Sequence, residues 1–413
     1  MKSLKIAITL LILGVLTVAI IFFLYPSGTN QLPKASETGS TQEGIQKIVN
    51  ANNRFGLELY SELSKRDEGN IFYSPYSLFS ALAMTYEGAN GTTAEEIKSV
   101  LHFPDYDVLR PNFAAFYNEI NKRHASFELK TANALWVQED YPLRYEYLNT
   151  IKNYYGGKAE NLDFMREPET SRQIINNYIK EETNNKIDEL LPPHSVDATT
   201  RLVITNAIYF NGRWAEEFDK KNTKELYFKT PTDIKKVQMM YMKPKTQFNY
   251  TETDDLQILE LPYKGNKISM LILLPKGNLD RIEPLTIERL SQYKKSMSEV
   301  KLDEIYIPKF ELDTSYPMKE ILRSLGMSTA FSPGADFSRM VDDGLFISQV
   351  FHDAYVKVDE EGTEAAAASA VVFTMAVSRP KKIFKADHPF IFIIQDKDTG
   401  AILFMGRITD PTK

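Results

Sequence analysis

An α+β fold with large, mainly antiparallel sheets is what this sequence predicts, on three observations. Helical spacing and capping signals crowd the first half of the chain. Long runs of β-branched and aromatic residues dominate the second half. Near the C-terminus two apolar runs, PFIFIIQ and AILFMGRI, flank Asp396-Lys-Asp-Thr-Gly400, the pattern of a β-hairpin.

The first element is not part of that fold. MKSLK precedes an uncharged run from Ile6 to Tyr25, and twenty helical residues at ~1.5 Å each span ~30 Å, the thickness of a bilayer's hydrocarbon core. Lys2 and Lys5 predict a cytoplasmic N-terminus and an exported body. Cleavable signals carry a shorter apolar region, ~7–15 residues, and a small-x-small site, which does not follow Tyr25. Residues 1–25 therefore read as a signal anchor, and the body as extracellular or cell-envelope, secreted if the segment is cleaved. Residues 26–44, rich in Ser, Thr, Gly and Pro, read as a flexible linker, and residues 45–413 as one domain without internal repeats.

Within the domain, Ser74 stands where an N-cap belongs and Pro75 where a first helical residue belongs. Leu78, Leu82 and Tyr86 keep helical spacing until Gly88 or Gly91. Thr93-Ala-Glu-Glu96 has the form of a capping box opening the next helix. Ser171 to Leu191 carries one or two more helices. Then RLVITNAIYFNGRW (Arg201–Trp214) and ISMLILLPKG (Ile268–Gly277) read as strands covered on both faces.

Composition excludes several function classes. The net charge of −6 argues against a nucleic-acid partner. With no Cys there is no disulfide framework, thiolate metal site or cysteine nucleophile. None of the five histidines, His102, His124, His194, His352 and His388, belongs to a metal-ligand spacing, and no hydrolase elbow or phosphate loop occurs. Neither a cofactor nor an enzyme is expected. The lysines between Lys220 and Lys245 alternate with Asp219, Glu225 and Asp233 and read as a solvated sheet face.

Five segments, in order, resemble the serpins. They are NIFYSPYSLFSALAMTYEGANGTTAEEI, LVITNAIYFNGRWAEEFDKKNT, IYIPKFELDTSYPMKEILRSLGMSTAFSPGADFSRM, ISQVFHDAYVKVDEEGTEAAAASA and FKADHPFIFIIQDKDTGAILFMGRITDP. The resemblance implies three β-sheets, eight or nine helices and an exposed reactive-centre loop on a monomer. It implies no catalytic residues; a target serine or cysteine protease attacks the loop and forms a covalent acyl-enzyme, and the cut loop then enters the main sheet as a strand. By the same resemblance Ser74, Ser77, Asn206 and His352 form a polar shutter under the strands that part. Trp214, Lys309 and Glu360 mark the breach where insertion begins, with a Lys309–Glu360 ion pair. Glu360, Glu361, Gly362, Thr363, Glu364, Ala365, Ala366, Ala367 and Ala368 form the hinge. The reactive bond falls at Ala376–Val377, with Met375 as the alternative, implying an elastase-like or subtilisin-like target.

The residues of the loop can be tested independently. A strand buried inside a sheet must donate its N–H groups, so Pro is excluded; none occurs from Asp359 to Arg379. One face must enter the core. The inward set in the family register, Thr363, Ala365, Ala367, Ser369, Val371 and Phe373, carries no charge, and in the outward set only Glu364 does. A run of alanines also favours a surface helix, but nothing in it forbids a strand.

Overall fold

A computed structural model of the protein describes residues 34–122, 124–342, 344–363 and 380–413. The expected anchor, Glu364 to Ala368 of the expected hinge, and Met375, Ala376 and Val377 of the expected reactive bond lie outside the described residues. No helix among the described residues is long and apolar enough to cross a membrane.

Folded structure begins ahead of the expected boundary at residue 45, in a compact unit from Ala35 to Lys413. Ala35 is buried, Ser36 donates its N–H to the Asn153 carbonyl at 2.6 Å, and the Thr41 hydroxyl caps the first helix by accepting from Gly44 N at 3.0 Å. The polar residues that suggested a tether here serve as caps and anchors instead.

That helix is α1 (Gln42–Arg66). It leads into β1 (Ile71–Tyr73), α2 (Pro75–Gly88), α3 (Gly91–Val100), α4 (Tyr106–Ile120), β2 (Phe127–Gln138), α5 (Tyr145–Tyr154), β3 (Lys158–Leu162) and α6 (Pro168–Glu182). Strands follow: β4 (Leu202–Arg213), β5 (Lys224–Lys229), β6 (Ile234–Met242), β7 (Phe248–Glu252), β8 (Leu256–Pro262) and β9 (Ile268–Pro275). The last part holds α7 (Ile287–Ser296), β10 (Ser298–Val300), β11 (Glu304–Pro308), β12 (Phe310–Pro317), α8 (Lys319–Leu325) and β13 (Ile347–Val358). It ends with β14 (Gly362–Thr363), β15 (Ile383–Lys385), β16 (Phe390–Asp396) and β17 (Ile402–Ile408). The first half is mostly helical and the second mostly strand, as the residue patterns predict.

Three sheets result. Seven strands run in the order β1-β17-β16-β9-β8-β7-β10, and four in the order β15-β11-β6-β5. The main sheet has the order β12-β13-β4-β2-β3, with β14 added against β4. β16 and β17 form the expected antiparallel hairpin. Gly406 is required there, because a Cβ would stand 2.4 Å from the Phe392 ring. β4 is buried on both faces along nearly its whole length, because a core lies on each side of the main sheet. One, with Ile204, Ile208 and Phe210, is shared with α2 and the seven-stranded sheet. The other packs Ile175 and Ile179 of α6 on Trp136, Val203 and Ala207.

One helix expectation needs correction. Asn90 is the N-cap of α3, not Thr93. Gly91 takes a positive φ of 50° and starts the helix early, so Thr93 is buried and accepts from Asp336 N at 2.9 Å. Glu96 accepts from both the N–H and the hydroxyl of Thr329. From Ser171 to Leu191 the expected one or two helices are one, α6, after which Asn184 and Asn185 adopt positive φ.

Near the end of α2, Glu87 is buried and forms a bidentate pair with Arg110, at 2.9 and 2.7 Å. It also accepts from the Tyr155 hydroxyl at 2.7 Å. Replacing Arg110 with Met leaves this carboxylate buried without its cation. The expected loss is about 3 kcal/mol, read as a lower urea midpoint, and Arg110→Lys should recover part of it.

Candidate functional site: a strand seam and its hinge

The seam lies between β4 and β13. These strands pair in parallel from Leu202–Ile347 to Tyr209–Tyr355 and then part. β4 continues to Arg213 and β13 to Val358, so the sheet is open at this end. Into the opening turns Asp359–Gly362, closed by hydrogen bonds between Asp359 and Gly362. The chain then lays β14 antiparallel on β4, Gly362 opposite Arg213 and Thr363 opposite Gly212. Gly362 has φ 142°, and a Cβ on it would lie 2.2 Å from the Gly212 carbonyl oxygen. Only glycine allows this approach.

The turn is held by its neighbours. Trp214 donates its N–H to the Glu361 carbonyl and Phe218 to the Glu360 carbonyl, both at 2.8 Å. The Trp214 indole donates to the Asp359 carbonyl at 3.0 Å, and its ring stacks on Tyr263 at 4.5 Å. The Glu360 carboxylate is buried, 2.8 Å from Lys309 Nζ, and accepts from the Thr223 hydroxyl at 2.6 Å. Burial pulls its pKa up, but the hydrogen bonds from Lys309 and Thr223 outweigh that and hold it below the ordinary value.

Midway down the seam lies a buried polar cluster. Ser74, the N-cap of α2, accepts from Ser77 N at 3.1 Å, donates its hydroxyl to Leu403 O at 2.6 Å and its N–H to His352 Nε2 at 3.0 Å. The Ser77 hydroxyl donates to Asn133 Oδ1 at 3.0 Å. Asn206 Nδ2 reaches Ser77 Oγ and Asn133 Oδ1, and Asn206 Oδ1 meets His352 Nδ1 across the seam. Because Nε2 accepts from a backbone N–H, the proton of neutral His352 resides on Nδ1 and is donated to Asn206. Full burial depresses the His352 pKa to about 3, so the ring stays neutral. The cluster joins β2, β4 and β13 through α2, and its His352–Asn206 link spans the two strands that would have to part.

Beside His352, on the other face of β13, Asp353 is buried and its Oδ1 has no hydrogen-bond partner. Burial raises its pKa to about 7, helped by Asp313 and opposed by a hydrogen bond with Ser315.

Residues 50–411 match the family model for Serpin (serine protease inhibitor). This chain is a serpin. Among its relatives is an uncharacterized serpin-like protein of Methanosarcina acetivorans, 43% identical over 88% of each chain. Another is a leukocyte elastase inhibitor of Bos taurus, 40% identical over 89% of this chain and all of that one. Solved serpin structures agree: uncleaved ovalbumin has a TM-score of 0.79 at 31% identity, covering 88% of this chain and all of ovalbumin. Human thyroxine-binding globulin with bound ligand has a TM-score of 0.82 at 27% identity, covering 90% of this chain and all of that one.

The structure brings Ser74, Ser77, Asn206 and His352 into one cluster, and Trp214, Lys309 and Glu360 into another around the hinge turn. Sequence reading missed Asn133 and Thr223, which complete the two networks, and Tyr263, which supports Trp214. It also placed Lys220 on a solvated face, whereas the Lys220 ammonium contacts the buried Glu361 carboxylate. Alternating charge was the only signal available, and it cannot reveal a partner more than a hundred positions away.

Asp353 gives the serpin a testable pH dependence. Its folded pKa of about 7 exceeds the unfolded value of roughly 4. Folding therefore takes up a proton between these limits, and stability falls as pH rises through that window. In Asp353→Asn this loss should vanish. Measured by denaturant titration, the variant should gain on the parent from roughly pH 4 to 7, by as much as ~4 kcal/mol, and level off above. The depressed pKa of His352 acts in both proteins and cancels in the comparison.

Proposed function

We propose that this serpin is a suicide-substrate inhibitor of elastase-like or subtilisin-like serine proteases, and by the same acyl chemistry of cysteine proteases. The observation that carries the reading is the pairing of Gly362–Thr363 with β4 at the open end of the seam. The hinge backbone already makes the first rungs of an inserted strand. Continued in that register, residue 369 would face Asn206, so the Ser369 hydroxyl would enter the polar cluster where His352 now meets Asn206. The uncharged inward set of the loop would fill the core-facing side.

Protease attack at Ala376–Val377, or after Met375, would form an acyl bond and release the new N-terminus. The freed loop would then zip down β4. Thr363 to Ala376 is fourteen residues, which at ~3.3 Å each cover ~46 Å, enough to drag the acylated protease across the domain. The work would be conformational, with no turnover by the serpin itself. We further propose that Ile6–Tyr25 anchors the domain outside the cytoplasm, where it would meet exported proteases.

A second reading, a non-inhibitory binding protein, draws on the likeness to thyroxine-binding globulin. It requires that loop-cleaved protein melt no higher than intact protein, whereas insertion should raise the melting temperature. Incubation with elastase or subtilisin should give a complex that survives boiling in detergent; clean turnover with every serine protease tried would sink the inhibitory reading. In Thr363→Arg the first inserted residue would carry a charge toward the core. The covalent complex should then give way to cleaved serpin while loop cleavage continues.

A further inference from the structure

Two adjacent glutamates of the hinge are buried, and they are not equally served. Glu360 has an ammonium and a hydroxyl on its carboxylate. Glu361 is as deeply buried, its side chain only 2% exposed, but neither carboxylate oxygen has an aligned hydrogen bond. Its charge is met by Lys220, whose own side chain is 53% exposed. Lys220 opens a short 3-10 turn, Lys220–Asn222, that Asp219 caps by accepting from Lys221 N at 3.0 Å. The ammonium is thus presented from a fixed segment, the same one that supplies the Trp214 and Phe218 N–H groups to the turn.

We infer that Lys220 is a positioning residue for the hinge: its ion pair with Glu361 keeps the turn in the orientation that lays Gly362–Thr363 on β4. This rests on the trapping mechanism proposed above. Without Lys220, the Glu361 carboxylate would be buried with no aligned donor and no counter-charge, and such a group moves to water when it can. Glu361 accepts from Trp214 N–H through its carbonyl and is joined directly to Gly362, so a backbone shift that carried its carboxylate to water would strain that bond. Its departure would lift β14 from β4 and remove the first rungs of insertion. Lys309 cannot substitute, since it is engaged with Glu360. A hinge that must redock before inserting would lose time to hydrolysis of the acyl-enzyme.

The test compares the parent with Lys220→Met and Lys220→Arg in two measurements. Hydrogen exchange should be about tenfold or more faster in Lys220→Met at residues 212–214 and 360–363 alone, and should return toward the parent rate in Lys220→Arg. With elastase or subtilisin, Lys220→Met should show the parental rate of loop attack but several-fold more cleaved serpin per covalent complex, again restored in Lys220→Arg. Parental exchange at the hinge in Lys220→Met, or exchange raised uniformly over the domain, would overturn the assignment. So would an unchanged ratio of cleaved to complexed serpin. If the parent forms no covalent complex with any protease, the inhibitory reading fails, and hinge exchange alone decides the role of Lys220.

Discussion

The hydrogen bonds between β4 and β13 join two parallel strands in a sheet where their other neighbours, β2 and β12, pair with them antiparallel. Parallel pairing is the weaker kind. A strand entering between them in the sense of β14 is antiparallel to both, and exchanges one parallel ladder for two antiparallel ones. Insertion as proposed would therefore satisfy the sheet's backbone better than the closed arrangement does. The rest of the site bears on that fact: the polar cluster fastens the seam in the middle, and the hinge occupies its open end.

The same region holds polar groups at a disadvantage. Asp353 keeps an unpartnered oxygen, and Glu361 depends on a single ammonium. Native structures keep few such groups, and each calls for an explanation. Here both lie on the stretch from β13 to β14 that would gain a neighbour on insertion. Glu360, with Lys309 and Thr223, is fully served, so the turn joins one secure residue to one less secure one.

Much of this was legible in the residues. Period and cap signals located α2, β4, β9 and the final hairpin because those elements are buried over many residues, and burial writes long patterns. The start of the domain and of α3 was misread because Ser, Thr and Asn mark both caps and linkers, and only packing tells which. The polar clusters could be assembled from a family resemblance but not from spacing, since Ser74, Asn133, Asn206 and His352 come from four separate elements. Asn133 and Lys220 were missed for that reason: nothing local distinguishes a buried Asn or a paired Lys from an exposed one.

The C-terminal hairpin has a consequence for how the molecule is made. Ile402 and Gly400 are bound by Asn52 and Asn53 of α1, Leu403 by Ser74, and β17 pairs with β1. These contacts span more than three hundred positions, and a growing chain presents its N-terminal part first. During synthesis β4, β13 and the hinge all exist before β16 and β17 can seal the core behind them. In that interval the seam is backed by an incomplete core, and nothing yet fixes Ser74 against Leu403. The last two strands to be made are thus the ones that back the seam between β4 and β13 from the neighbouring sheet.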